Sequence, residues 1–467
     1  MNPTALEVDY LIVGAGAMGM AFADTLVAET DATVAIVDRY DQPGGHWTVA
    51  YPFVRLHQPS AYYGVNSREL GSGAVDQDGW NAGMHELASA GELLAYFDQV
   101  MRRTLLPTGR VSYFPKSFYD GPDPLRPDVH RFHSLVSGAG FEVTVKRRTV
   151  DATYMNVTVP AMVPPKYEVA PGVRLITPNQ LPALEDHPSH YTVVGAGKTG
   201  IDACLWLLGH GTDPSDITWI MPRDSWLIDR AHTQPGDSYF EREAARREAV
   251  TSAHTVRELF ARLEGSGLLL RLSNDVDPTA YRCATVARAE LEQLRHIGDI
   301  VRHGRVRRID ENAIELDRAT VPAQAGTLYI DCTADGLERR PTVPVFDRAR
   351  ITLQAVVPCQ QVFSAALTAH VEASYTDDDT KNALCAPSQH PDSALDWIQF
   401  FGDIQERIVR WTADPALVQW LSTCRLLGRR IPEISPEQRT ALLPMFEAQK
   451  LKLEQLLHQE NVVAAVN

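Results

Sequence analysis

What most limits the fold of this chain is a pattern that occurs twice: a short apolar run, a glycine-rich turn, and apolar residues at helical spacing. Residues 10–13 (YLIV) run into Gly14-Ala15-Gly16-Ala17-Met18-Gly19, after which Met18, Phe22 and Leu26 recur along one helix face. Such a run suits a strand buried on both faces of a parallel sheet. In a strand–turn–helix unit the first glycine permits the tight turn and the second lets a pyrophosphate approach the backbone. The third lets helix and strand pack closely, and the helix start offers unpaired N–H groups and positive potential. A second run, residues 33–37 (TVAIV), ends in Asp38, at the distance of about 20 residues expected of a ribose-binding acid. A carboxylate there accepts from both ribose hydroxyls and repels a 2′-phosphate. Arg39, the next residue, is grouped with this nucleotide-binding set.

The unit returns at residues 191–194 (YTVV), with Gly195-Ala196-Gly197-Lys198-Thr199-Gly200 and a helix carrying Ile201, Leu205 and Leu208 on one face. Lys198 and Thr199 lie inside the loop and are counted with its glycines as nucleotide-binding. The following strand, residues 217–221, does not end in an acid but runs into Pro222-Arg223-Asp224. A guanidinium at Arg223 can grip a 2′-phosphate bidentately and stack on adenine, which favours NADP over NAD. The competing reading makes Arg223 a solvated loop residue and Asp224 the ribose ligand. Two such units predict an α/β fold of two doubly wound Rossmann-type domains plus a helical C-terminal region. They also predict two cofactors, FAD at the first loop and NADPH at the second, since hydride transfer between flavin and nicotinamide is the simplest use of both.

Beyond Asp38 stand Gly44-Gly45-His46-Trp47, Tyr51-Pro52, Arg55-Leu56-His57-Gln58-Pro59-Ser60 and Asn66-Ser67-Arg68-Glu69-Leu70. With the two glycine loops, these segments resemble the flavin-containing monooxygenases and, more distantly, the Baeyer–Villiger monooxygenases. Both are class B flavoprotein monooxygenases with two dinucleotide-binding domains. The resemblance covers roughly residues 8 to 345; residues 157–165 (VTVPAMVPP) and 329–337 (YIDCTADGL) fall where that family crosses between domains. It implies that Gly45, His46 and Trp47 line the FAD. It also implies that Asn66 is the catalytic amide near the flavin C4a position, stabilising a C4a-(hydro)peroxyflavin before oxygen passes to a small-molecule N or S centre. Asn66 is equally a residue that turns and caps favour. His57 stands where the Baeyer–Villiger stretch has an aspartate, which weighs against ketone oxidation; it either sits over the flavin or packs as a structural histidine. The F-x-G-x-x-x-H fingerprint expected before the second loop is reduced to Ala170-Pro171-Gly172-Val173-Arg174-Leu175-Ile176, losing its Phe and His. The alternatives are an NAD(P)H-dependent flavin reductase or oxidase without oxygen insertion, with which that loss is consistent, a Baeyer–Villiger-type oxygenase, and a catalytically silent nucleotide-binding protein.

Other features bound the rest. The net charge of −15 disfavours nucleic acid and anionic membrane as partners, because both need a basic footprint. No apolar run approaches the ~20 residues that cross a bilayer, and no signal peptide is legible, so a cytoplasmic location is expected. The expected partners are a small-molecule substrate and O2, with a homo-oligomer open. The six cysteines are scattered without a C-x-x-C, which argues against a redox dithiol and a cysteine-type zinc site; no metal site is expected. The 467 residues divide into an FAD-binding part over 1–165 and an NADPH-binding domain over 166–345. The latter carries a charged helical insertion at about 240–297, covering the cleft or simply solvated. Residues 346–467 return to the FAD domain and end in helices, whose aromatic stripe (Trp397, Phe400, Phe401, Trp411, Trp420) reads as core or subunit interface. A helix over 358–371, with Pro358 near its start, would point its N-terminus at the flavin.

Overall fold

The computed structural model describes residues 3–236, 238–427 and 436–466. The first glycine unit builds the parallel centre of an eight-stranded mixed sheet. Thr4–Val13 lies between Val34–Val37 and Gly140–Asp151, with Val111–Phe114 beyond Val34–Val37. The Val34–Val37 strand is buried at every position, as a four-residue apolar run inside an α/β sheet must be. The helix Ala17–Glu29 buries every residue from Met18 to Val27. A helix apolar all round needs cover on both sides, and the helix Gln361–Ser374 supplies the second side. The chain has therefore returned by then: Arg350–Thr352 pairs in parallel with Gly140–Asp151 in the first sheet.

The second unit builds a five-stranded parallel sheet. His190–Val194 lies between Ile217–Ile220 and Thr327–Asp331, flanked by Asp299–Val301 and Arg174–Ile176. The two chain crossings touch each other, Thr158 N–H donating to Gly336 O at 2.9 Å.

The stretch expected to be helical at about 240–297 is mixed. Ser238–Ser252, Val256–Gly265 and Arg288–Leu294 are helices, but Ala280–Val286 is a strand in a three-stranded sheet with Ser225–Asp229 and Leu269–Leu270. Its buried AYRCATV pattern overrides the helical charge pattern that follows it. Ala394–Thr412 opens with a Ser393–Asp396 capping box. Its Trp397, Ile398 and Phe401 pack with Trp226, Phe260, Tyr281, Leu453 and Leu456. The aromatic stripe is core. No helix among the described residues is long and apolar enough to cross a membrane.

Candidate nucleotide cleft

Both glycine loops open on one cleft. Gly14, Gly16, Asp38, Arg39, Gly45, His46, Trp47 and His57 line one side, and Gly195, Gly197, Lys198, Thr199 and Arg223 the other. Its volume of about 1180 Å³ exceeds the roughly 300–1,000 Å³ of an ordinary small-molecule site. Gly19 and Gly200 lie behind the wall. A Cβ on Gly19 would stand 2.0 Å from Gly14 O, and one on Gly200 2.1 Å from Gly195 O. No side chain fits there. A Cβ on Gly197, by contrast, would meet nothing within 4 Å, leaving the space through which a phosphate reaches the backbone. Neither helix start, at Gly16 or Gly197, has a side-chain cap. Their first-turn N–H groups and positive ends are left for an anion.

Asp38 is buried at the end of Val34–Val37. One carboxylate oxygen accepts from Ala15 N–H at 2.5 Å and the other from Tyr40 N–H at 2.7 Å, which aims the group along the cleft wall with lone pairs to spare. Burial nonetheless pushes its pKa up, the two backbone N–H bonds opposing. Arg39 is exposed beside it and lies over the Tyr40 ring, 5.0 Å to the centroid. Trp47 Nε1–H donates to Tyr63 Oη at 2.9 Å, fixing the indole edge-on to the Tyr63 ring. Burial holds His46 down at about 4. His57 accepts the Thr285 N–H at its Nδ1, 3.3 Å away, so the proton of the neutral ring sits on Nε2. Burial, and then the charges of Lys198, Arg230 and His390, pushes it down to about 3. Both rings are neutral at pH 7.

At the second loop, Lys198 Nζ is paired with Asp202 one turn along, and Tyr51 Oη donates to the other Asp202 oxygen at 2.7 Å. Burial, then the Asp202 charge, pushes the Tyr51 hydroxyl well up. This contact joins the N-terminal half to the second nucleotide loop. Arg223 and Asp224 differ in their contacts. Asp224 is 6% exposed and both its oxygens are taken by Arg302, at 2.8 and 3.1 Å. Arg223 lines the cleft and is 2.7 Å from Asp392, which also pairs with Arg282. Burial pushes the Asp392 carboxyl up, but the bonds from Arg223 and Arg282 outweigh it and hold the group low. Two guanidiniums on one carboxylate leave a net positive rim.

Asn66 is not brought to the cleft. Its side-chain oxygen accepts the Arg425 N–H at 3.2 Å, and the neighbouring Ser67 N–H donates to Asp24 at 2.9 Å. Asp24 stands about two turns into the Ala17–Glu29 helix, so this loop is tied behind the glycine turn and not above it. The residue that fixes it escaped the sequence reading. The Arg425 guanidinium donates to Ala61 O, Tyr63 O and Val65 O. No local motif marks an arginine that acts 360 residues away.

The lack of C-x-x-C does not exclude a joined pair: Cys283 and Cys359 are disulfide-bonded across 76 residues, and both line the cleft. Spacing carries no information about cysteines that only the tertiary fold brings together. His390 completes the cluster, its Nε2 4.0 Å from Cys359 Sγ.

Known proteins bear on this geometry. The model of the NAD(P)-binding Rossmann-like domain matches residues 12–61, the first glycine unit with its acid and GGHW. Uncharacterized protein Rv2000 of Mycobacterium tuberculosis is 54% identical over 450 residues, covering 95% of this chain and 82% of the relative. This chain belongs to that protein's family. A ferredoxin–NADP reductase of Salinispora tropica is 34% identical over 92 residues, 20% of this chain and 28% of that protein. Among solved structures, oxidised steroid monooxygenase bound to NADP aligns over 97% of this chain and 98% of its own, at 12% identity and a TM-score of 0.51. The open form of cyclohexanone monooxygenase covers 79% and 87%, at 12% identity and a TM-score of 0.50. The fold is the one these two monooxygenases share: α/β, with two Rossmann-type units.

Proposed function

We propose that the chain is an FAD- and NADPH-dependent monooxygenase that delivers one oxygen atom of O2 to a nitrogen or sulfur centre of a small molecule. The observation that carries this reading is the single cleft shared by two uncapped glycine-turn helices, with an acid at one and an arginine at the other. The residues fit the two groups. The first loop, with Asp38 in the cleft wall where it would accept from ribose hydroxyls, suits FAD. The second, with Arg223 on the rim and Asp224 sequestered by Arg302, suits a nucleotide bearing a 2′-phosphate.

When bound, the nicotinamide supplies hydride and the flavin the site of oxygen activation. The chain's own work is to bind, orient and exclude. The glycine turns would hold the pyrophosphates at the uncapped helix starts after Gly16 and Gly197. Trp47, locked by Tyr63, and the neutral His46 and His57 form a wall without an imidazolium acid at pH 7. Such a wall suits an oxygenation that needs position and dryness more than acid–base chemistry.

The test is direct. The purified protein should carry a yellow flavin that NADPH bleaches anaerobically. In air it should consume NADPH with amines or sulfides while releasing less peroxide than NADPH used. Protein that stays colourless after incubation with FAD overturns the reading. A second reading, a reductase or oxidase without oxygen insertion, draws on Asn66 being held outside the cleft by Arg425. It predicts peroxide equal to NADPH consumed for every compound tried.

A further inference from the structure

We propose that Cys283 and Cys359 are a redox-active pair, a cystine in the wall of the nucleotide cleft that opens by accepting an electron pair from NADPH through the bound flavin. The reductant in this proposal rests on the function proposed above. The placement of the sulfurs does not.

Each cysteine is held in a backbone conformation that L-residues rarely adopt. Cys283 has φ 57° in the middle of the Ala280–Val286 strand. There the register against Ser225–Asp229 slips between Tyr281 and Thr285. A bulge of this kind re-aims one side chain, and Cys283 lines the cleft. Cys359 has φ 62° and stands just ahead of the Gln361–Ser374 helix, whose N-terminal potential favours a thiolate. Two unusual conformations on distant elements serve one juxtaposition, and strain of this kind gathers at functional sites.

The surroundings are those of a reactive sulfur. His390 Nδ1–H donates to Pro391 O at 3.1 Å, so Nε2 presents its lone pair toward Cys359 Sγ and can take or return a proton there. The His57–Gln58 segment touches the neighbours of both cysteines, since His57 accepts from Thr285 N–H and Gln360 donates to Gln58 at 3.0 Å. His57 lies within electrostatic reach of Lys198 in the second glycine loop. The pair therefore sits where the two nucleotide sites face each other. Cys204, Cys332, Cys385 and Cys424 are free, buried thiols that burial pushes up, the environment of an inert cysteine.

The step balances as NADPH plus H⁺ plus cystine giving NADP⁺ plus two thiols. The S–S bond breaks and each sulfur gains one electron and one proton. The hydride carries both electrons and one proton, and solvent supplies the other proton by way of His390.

The experiment is an anaerobic NADPH titration of the full-length flavoprotein, quenched in acid and alkylated, with the cysteine peptides read by mass spectrometry. The expected result is alkylation of the Cys283 and Cys359 peptides. It comes with a requirement for two NADPH per flavin in the wild type but one in Cys283→Ser and in Cys359→Ser. A flavin that bleaches fully with one NADPH while both peptides stay joined overturns the proposal and leaves the proposed function standing. A flavin that does not bleach overturns the function instead. The pair is then judged by dithiothreitol on the native protein: opening without denaturation supports it, and a cystine that opens only after unfolding, or zinc found bound to the two thiols, overturns it.

Discussion

At the scale of single residues, the two cleft histidines set how stability responds to acid. His57 and His46 are held at about 3 and about 4, against an ordinary value near 6.5. Between those limits the unfolded chain binds protons that the folded chain refuses, so stability rises with pH through that window and levels off above about 6.5. Stability is thus lost as pH falls from 6.5 toward 4. The denaturant midpoint of the cofactor-free protein should drop over that range, and His57→Asn should flatten part of the slope. Equal slopes in the two proteins would remove His57 from the account. Arg223 belongs to the same scale. A charge-assisted bidentate contact to phosphate is worth more than the ~1.4 kcal/mol that makes a factor of ten. Arg223→Ala should therefore raise KM for NADPH by about tenfold or more while KM for NADH moves less than about twofold; a parallel rise in both would return Arg223 to the solvent. Asn66→Ala should leave the ratio of product to NADPH within about twofold, because Arg425 holds that side chain behind the glycine turn. Collapse of the ratio would restore the catalytic role that the sequence resemblance implies.

Elements made by neighbours in sequence were the legible ones. Each glycine unit is local: strand, turn and helix lie within about 20 residues, and the turn requires its glycines for steric reasons that hold in any fold. The third glycines give a paired test. Gly19→Ala drives a Cβ into Gly14 O and should abolish flavin retention, whereas Gly200→Ala drives one into Gly195 O. The second variant should stay yellow but resist bleaching by NADPH. Bleaching of the Gly200→Ala protein at the wild-type rate would mean the second loop does not seat the nicotinamide nucleotide. Elements whose form depends on distant partners were not legible. Residues 280–286 carry a strand because Ser225–Asp229 lies beside them, against the helical charge pattern that follows. The Cys283–Cys359 pair, the Arg425 clamp and the Tyr51–Asp202–Lys198 contact each join positions that only the fold makes neighbours.

For the whole molecule, the link that sets one half against the other is Arg230, 1% exposed. Its Nε donates to His57 O at 3.2 Å and one terminal nitrogen to Asn81 Oδ1 at 3.1 Å, both in the N-terminal half. The other terminal nitrogen reaches Glu290 Oε2 at 2.8 Å, in the middle of the chain. Around it, Tyr62 Oη donates to Gln234 O and His85 N–H to Gln234 Oε1, so the His57–His85 stretch is stitched to residues 230–290 by half-buried polar contacts. A guanidinium so enclosed cannot be removed cheaply, because the largely buried Glu290 then loses its cation while three carbonyl acceptors, on His57, Asn81 and Thr285, lose their donors. Arg230→Ala should cost about 3–5 kcal/mol, read as a lower urea midpoint. Since the same side chain fixes the His57 carbonyl, the flavin should also dissociate more readily in that variant. Arg230→Lys should recover less than half of the loss, because an ammonium with three donors cannot reach four acceptors spread around a planar fork. An alanine variant within about 0.5 kcal/mol of wild type, the range of ordinary surface changes, would show that the two halves are held together elsewhere.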